Sequence, residues 1–260
     1  MPSTRSRRPA NRRAPSAGRP SADAAGHRRR TAIPKQVLRR VVESDKIRRV
    51  DADQYRRETR SLYDGPAGAL LSVGSRLSLH EPLVGRLIRK RKFDVARFGS
   101  ILDLGSGAGQ ILRHLVDTVE PGTRVTACDL SDQMLRRAAR RVDSPIPEYV
   151  AADMTCLPFE DGTFDAVTLG YVIEHLDDPR PGLREIHRVL RPGGRMLLLA
   201  TEDSMLGAFV SMAWKCRTYD REDLRASCEE CGLPWAEELW FTRFHRALRM
   251  GGILVEAVRS

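Results

Sequence analysis

Ile101-Leu102-Asp103-Leu104-Gly105-Ser106-Gly107-Ala108-Gly109 decides the reading of this chain. The apolar run Ile101–Leu104 has the length and composition of a buried strand. It runs into three glycines spaced two apart, and Ile111, Leu112, Leu115 and Val116 then recur at helical spacing. Strand, glycine loop and helix together present backbone N–H groups to a ligand at the edge of an open α/β sheet. Glycine lets that ligand approach the backbone where a Cβ would clash.

Outward from this stretch, strands and helices alternate, the mark of a parallel sheet built from βαβ units. Strands are expected at 100–104, 124–129, 148–151, 165–169 and 195–200. Helices are expected at about 109–117, after an N-cap at Ser131, and at about 179–190. Arg191-Pro192-Gly193-Gly194 is a turn signal before the fifth strand. Near the C-terminus, Glu238–Phe244 and Ile253–Val258 read as two strands. A short turn at Met250-Gly251-Gly252 would make them an antiparallel pair. Residues 33–98, with helical spacing around Val37–Val50, 53–63 and 79–92, form a helical cap on the domain at 99–260.

Which ligand the loop suits follows from its neighbours. A dinucleotide fingerprint needs a glycine at position 110, which is Gln. Asp103 would repel a pyrophosphate but suits an ammonium group. Asp129 ends the second strand, where a carboxylate accepts from both hydroxyls of a ribose. Asp153-Met154 follows the third strand, placed to read an adenine by carboxylate and backbone N–H. An adenosine carrying an ammonium and no phosphate is S-adenosylmethionine (SAM).

At this point the chain resembles the class I SAM-dependent methyltransferases, in particular the small-molecule, methyltransferase type 11-like group. The resemblance runs over roughly 100–200. It is carried by Ile101–Gly109, Cys128-Asp129-Leu130-Ser131-x-x-Met134-Leu135 and Ala152-Asp153-Met154-x-x-Leu157-Pro158-Phe159. It continues through Gly162-x-Phe164-Asp165-x-Val167, Glu174-His175-Leu176-x-Asp178 and Arg188–Gly194. It implies a Rossmann-like, seven-stranded, mostly parallel sheet ending in an antiparallel pair, and SAM as cofactor. Asp103, Gly105 and Gly107 would then face the methionine part and Asp129 the ribose. Leu130 and Met134 would flank the adenine, with Asp153 and Met154 at its edge, and Gly170 or Tyr171 would line the pocket near the sulfonium.

Methyl transfer from a sulfonium needs alignment of the acceptor and exclusion of water, worth about 7–11 kcal/mol. A base is needed only for a protonated acceptor. His175 is the candidate base and Tyr171 a candidate substrate contact, with His80 and Tyr63 as contributors from the cap. His114, His187 and His245 read as ordinary structural residues. An apolar lid is expected at 203–218, where Met205–Trp214 suits a greasy small-molecule acceptor such as a quinone, a lipid or a secondary metabolite. Tyr63-Asp64-x(6)-Leu71-Ser72-x-Gly74 echoes a motif of ubiquinone/menaquinone C-methyltransferases, whose Arg-Asn pair after strand 4 is Glu174-His175 here. The rival readings are a nicotinamide-dependent oxidoreductase and a non-catalytic SAM- or SAH-binding subunit.

Charge bears on partners through its location. The chain has 44 basic and 34 acidic residues. Residues 1–40 hold twelve of the former and one of the latter, Asp23, leaving 32 and 33 for the rest. The segment 1–32 has no large apolar side chain between Met1 and Ile33, so it reads as a disordered basic tail that can touch anionic surfaces. A neutral folded part argues against nucleic acid as substrate. There is no secretory h-region and no run long enough to span a bilayer. Five cysteines then suggest reduced thiols in the cytoplasm. Cys228-x-x-Cys231 lacks a second ligand pair, falls on a helix expected from Arg221 to Cys231, and gives no reason to expect a metal.

Overall fold

The computed structural model describes residues 80–90, 92–204, 216–248 and 252–260. Its strands are β1 (Ser100–Leu104), β2 (Arg124–Asp129), β3 (Pro147–Ala151), β4 (Phe164–Gly170), β5 (Leu190–Ala200), β6 (Trp235–Glu238) and β7 (Ile253–Val258). They form one sheet in the order β3-β2-β1-β4-β5-β7-β6. The pairings among β3, β2, β1, β4 and β5 are all parallel. Only β7 runs the other way, antiparallel to both β5 and β6. The helices are α1 (His80–Arg89), α2 (Gln110–Val116), α3 (Asp132–Val142), α4 (Arg180–Val189), α5 (Arg221–Glu230) and α6 (Arg243–Leu248).

Every residue of β1 is buried, as expected of a central parallel strand covered on both faces. Its side chains alternate between two apolar layers. Leu102 and Leu104 join Val167, Leu169, Leu198 and the α4 residues Leu183, Ile186 and Val189. Ile101 joins Ala166, Leu197 and Leu199 with Val84, Leu87 and Ile88 of α1. Asp103 shares the second face, because residues two apart in a strand point the same way. Beyond it, α2 and α3 pack Leu112, Leu135 and Ala138 on Val125 and Ala127 of β2.

The local signals act as read. Ser131 caps α3, its Oγ accepting from the Met134 N–H at 3.1 Å. In β5, Leu190 faces Phe164 and Arg195 faces Ala166, so the Arg191–Gly194 turn bulges out opposite Asp165. The Arg191 guanidinium holds that carboxylate at 2.6 Å.

Two strands differ from the sequence reading: β5 starts at Leu190 rather than Arg195, so the Arg191–Gly194 turn is a bulge inside it and not a turn before it. β6 is Trp235–Glu238, not Glu238–Phe244, and most of the latter stretch leads into α6. The Thr242 hydroxyl accepts from the His245 N–H at 3.2 Å, a capping bond that starts a helix where β-branched and aromatic residues suggested a strand. The link to β7 is therefore a helical connection, not a short turn, although the pair is antiparallel. Met250, Gly251, the tail 1–32, Tyr63 and the lid stretch Met205–Trp214 lie outside the described residues, as does the side chain of His80. Of the cap, α1 is described and follows the helix expected at 79–92.

Candidate functional site

The strand order reverses at β1 and β4, which lie side by side while their chains depart to opposite halves of the sheet. Such a switch point opens a crevice at the carboxyl ends of the strands. Asp103, Gly105, Gly107, Asp129, Leu130, Asp153, Met154, Gly170 and Tyr171 all lie at that edge of β1, β2, β3 and β4.

The glycine loop is tied to β2. Gly105 N–H and Ser106 N–H both donate to the Cys128 carbonyl, at 2.7 and 3.0 Å. The Asp129 carboxylate accepts from Gly107 N–H on one oxygen and from Ser131 N–H on the other, each at 2.9 Å. Gly105 has φ +68°, and a Cβ there would stand 2.0 Å from Val172 Cγ2, so the loop passes hard against the segment after β4. Gly107, at φ +52°, differs: its nearest neighbours would be Gln110 Oε1 at 3.4 Å and Met134 Cε at 4.0 Å, leaving room before its backbone. Met134 is buried, and its sulfur accepts from Arg137 at 3.2 Å.

Asp103 is 1 % exposed. The register pairs it with Thr168 of β4, whose hydroxyl donates to Oδ1 at 2.8 Å. Its other oxygen, Oδ2, is buried without a partner among the described residues. Burial raises the carboxyl to about 7, against the pull of the Thr168 and Ser106 hydroxyls and with a small push from Asp129. A buried carboxylate oxygen left open costs free energy that a cationic ligand would recover. An ammonium group fits this place.

Past β3, Asp153 Oδ1 accepts from both the N–H and the hydroxyl of Thr155, each at 2.8 Å, and Ala152 N–H reaches the Asp129 carbonyl at 3.0 Å. The Met154 side chain packs inward, its methyl 2.7 Å from where a Cβ on Gly182 would stand. Past β4, Gly170 abuts Ile111, and Tyr171 adopts φ +59°, a left-handed conformation uncommon outside glycine. Burial and the nearby Glu174 carboxylate push its phenol up. His175 ends a 3-10 turn at Ile173–His175, where burial lowers its imidazole to about 4.

Two further residues belong to this edge. Thr168 is a polar residue inside the buried run of β4, and such a residue needs a partner. Glu174 is buried and accepts from the Thr201 N–H through Oε1, while Arg217 N–H donates to its carbonyl at 3.3 Å. Burial raises its carboxyl, and it faces Cys216, whose thiol burial pushes up to about 12. Elsewhere, His114 contacts Arg89, His245 bonds Thr242, and Cys228 is buried with its thiol pushed up to about 12. None of the five cysteines is in a disulfide.

A family model for a methyltransferase domain matches residues 102–198. The ubiquinone/menaquinone biosynthesis C-methyltransferase of Desulfotalea psychrophila is 39% identical over 123 residues, covering 45% of this chain and 50% of that protein. The demethylmenaquinone methyltransferase of Mycolicibacterium gilvum is 33% identical over 163 residues, covering 63% of this chain and 68% of that protein. The chain thus spans half to about two thirds of the length of these two curated relatives. A Haloferax volcanii putative methyltransferase, solved in complex with a Trm112 activator, superposes with a TM-score of 0.59 at 23% identity. That match covers 74% of this chain and 96% of the other, and it shows the shared fold.

Proposed function

This chain belongs to the class I SAM-dependent methyltransferases, and from that premise we propose that it methylates an apolar small-molecule acceptor of the quinone class. The observation that carries the cofactor half is the buried, open Oδ2 of Asp103 beside a glycine loop with room before Gly107. The α-ammonium of SAM is the group that Asp103 would hold, with Gly105 and Gly107 lining the methionine part. Asp129 accepts the Gly107 and Ser131 N–H groups, one on each oxygen, and its carboxylate would also hold the ribose hydroxyls. Leu130 and Met134 would flank the adenine, with Asp153 and the Met154 amide at its edge. Bound SAM supplies an electrophilic methyl on a sulfonium.

The acceptor half falls to the segment after β4. Gly170 and Tyr171 would stand closest to the sulfonium, and the strained Tyr171 backbone is the kind of feature that clusters at working sites. At pH 7 the His175 ring is neutral, the form able to take a proton, although the burial that keeps it neutral also makes it a weak base. An acceptor arriving as a phenolate-like anion asks only for orientation and exclusion of water. The quinone methylation for which the two curated relatives are named supports a quinone. Five cysteines outside any disulfide support the cytoplasm as the site of action.

The test is incubation with methyl-labelled SAM and a panel of demethylated isoprenoid quinols, alkylphenols and polar amines. Label in the organic phase with matching S-adenosylhomocysteine is the expected result. Label passing only to the polar amines, or SAM bound without turnover on any acceptor, would overturn the acceptor assignment.

A further inference from the structure

Among the described residues, two large apolar side chains are exposed, Ile146 and Phe244. Ile146 precedes β3, at the amino end of the parallel strands. Phe244 is on α6, at the opposite edge: Glu238 faces Val255 and Ala200 faces Ile253, so the β6–β7 connection leaves the sheet where β5 ends. It stands on the rim that carries the glycine loop and Tyr171.

α6 is fixed from beneath. Phe241 is buried in the apolar layer of α1 and β1, and the His245 ring meets it edge-on at 5.9 Å while its Nδ1 lies 2.7 Å from the Thr242 hydroxyl. Outward, Arg243, Phe244, Arg246 and Ala247 are all exposed, with Phe244 at 64%. Arg221, which lies over the Trp240 ring, and Arg225 each meet a carboxylate. Arg243 and Arg246 have no ion-pair partner among the described residues. An aromatic ring held outward between unpaired cations is chemistry that suits the headgroup boundary of an anionic bilayer.

We propose that α6 is a membrane-docking element that seats the cofactor edge of the sheet against anionic lipid. Its use, access to an acceptor dissolved in the bilayer, rests on the apolar-acceptor reading; the contact itself does not. No helix among the described residues is long and apolar enough to cross a membrane, so this contact lies on the surface.

The experiment is co-sedimentation of the full chain with phosphatidylglycerol-containing vesicles and with phosphatidylcholine vesicles. The basic tail is present in every protein compared, so differences between variants report α6. Phe244→Ala should lower partitioning onto the anionic vesicles roughly tenfold, and Phe244→Trp should keep it. Arg243→Gln with Arg246→Gln should lower it by about tenfold or more. All variants should retain the parent's thermal midpoint. Parent-like partitioning of Phe244→Ala overturns the proposal. So does loss confined to the arginine pair, which would mark a surface for soluble polyanions. Failure of quinone methylation would leave the vesicle result standing, which separates the two readings.

Discussion

Replacing Asp103 by Asn tests the cofactor site through two independent pH dependences. The carboxyl titrates near 7 in the folded protein and at 3.8 unperturbed, because burial disfavours its ion. Below 3.8 both folded and unfolded chains hold the proton, so pH has no leverage there. Between 3.8 and about 7 the folded protein keeps a proton that the unfolded chain has released, so stability falls as pH rises through this window. Above it the whole penalty is present, about 4 kcal/mol for a shift of roughly three pH units. About 3 kcal/mol of this falls between pH 5 and 8. Asn cannot ionise, so the variant should lack that decline, with any cost of the amide appearing as a constant offset. Urea titrations of both proteins at pH 5 and pH 8 read the difference.

Cofactor affinity should move the opposite way. An ammonium needs the ionised carboxylate, so the parent should bind SAM more tightly as pH rises, approaching tenfold per unit below 7 and levelling above it. The Asn variant should bind with little pH dependence and, at pH 8, more weakly by about 1.5–3 kcal/mol, the worth of a charged hydrogen bond. Calorimetry across pH 5.5–8.5 measures both. If the variant keeps the parent's affinity and slope, Asp103 does not face the ammonium and the assignment of its open oxygen is wrong.

Three further substitutions probe the same edge. Thr168→Val removes the hydrogen bond that favours the Asp103 ion, so the midpoint of the SAM affinity profile should move to higher pH; an unmoved midpoint in calorimetry would count against the pairing. Asp129→Ala should cost about 1–3 kcal/mol in SAM affinity and speed hydrogen exchange at the Gly107 and Ser131 amides, and parent-like affinity would displace the ribose site. Gly105→Ala forces a Cβ into Val172 at φ +68° and should destabilise by at least about 2 kcal/mol, partly recovered by adding Val172→Ala. Equal urea midpoints for all three proteins would show that the loop relaxes freely.

The parallel half of the sheet was legible because its signals are local. A run such as Ile101–Leu104 buries both faces, and a turn residue such as Gly105 ends it at once. The carboxyl-edge cluster followed from these signals, since fixing where strands end fixes which loops share an edge. The misread strand at Glu238–Phe244 shows the limit. Trp240, Phe241 and Thr242 have strand propensity, but propensity yields to a capping bond and to burial of Phe241.

What the sequence withheld depends on register. Asp103 was visible as a carboxylate, but whether it titrates in a useful range depends on what stands beside it across the sheet. Thr168 is 65 residues away, and a slip of one position would turn its hydroxyl to the opposite face. The same holds for Glu174, visible in the sequence only as part of a motif, whose carboxylate fastens the end of β5 through Thr201, 27 residues on. Each is a polar side chain in an apolar setting, and such a residue has a partner or pays for its absence. Thr168 and Glu174 have theirs within the chain. Asp103 keeps one oxygen without any among the described residues, and that asymmetry makes Oδ2 the place at this edge where a ligand has the most to supply.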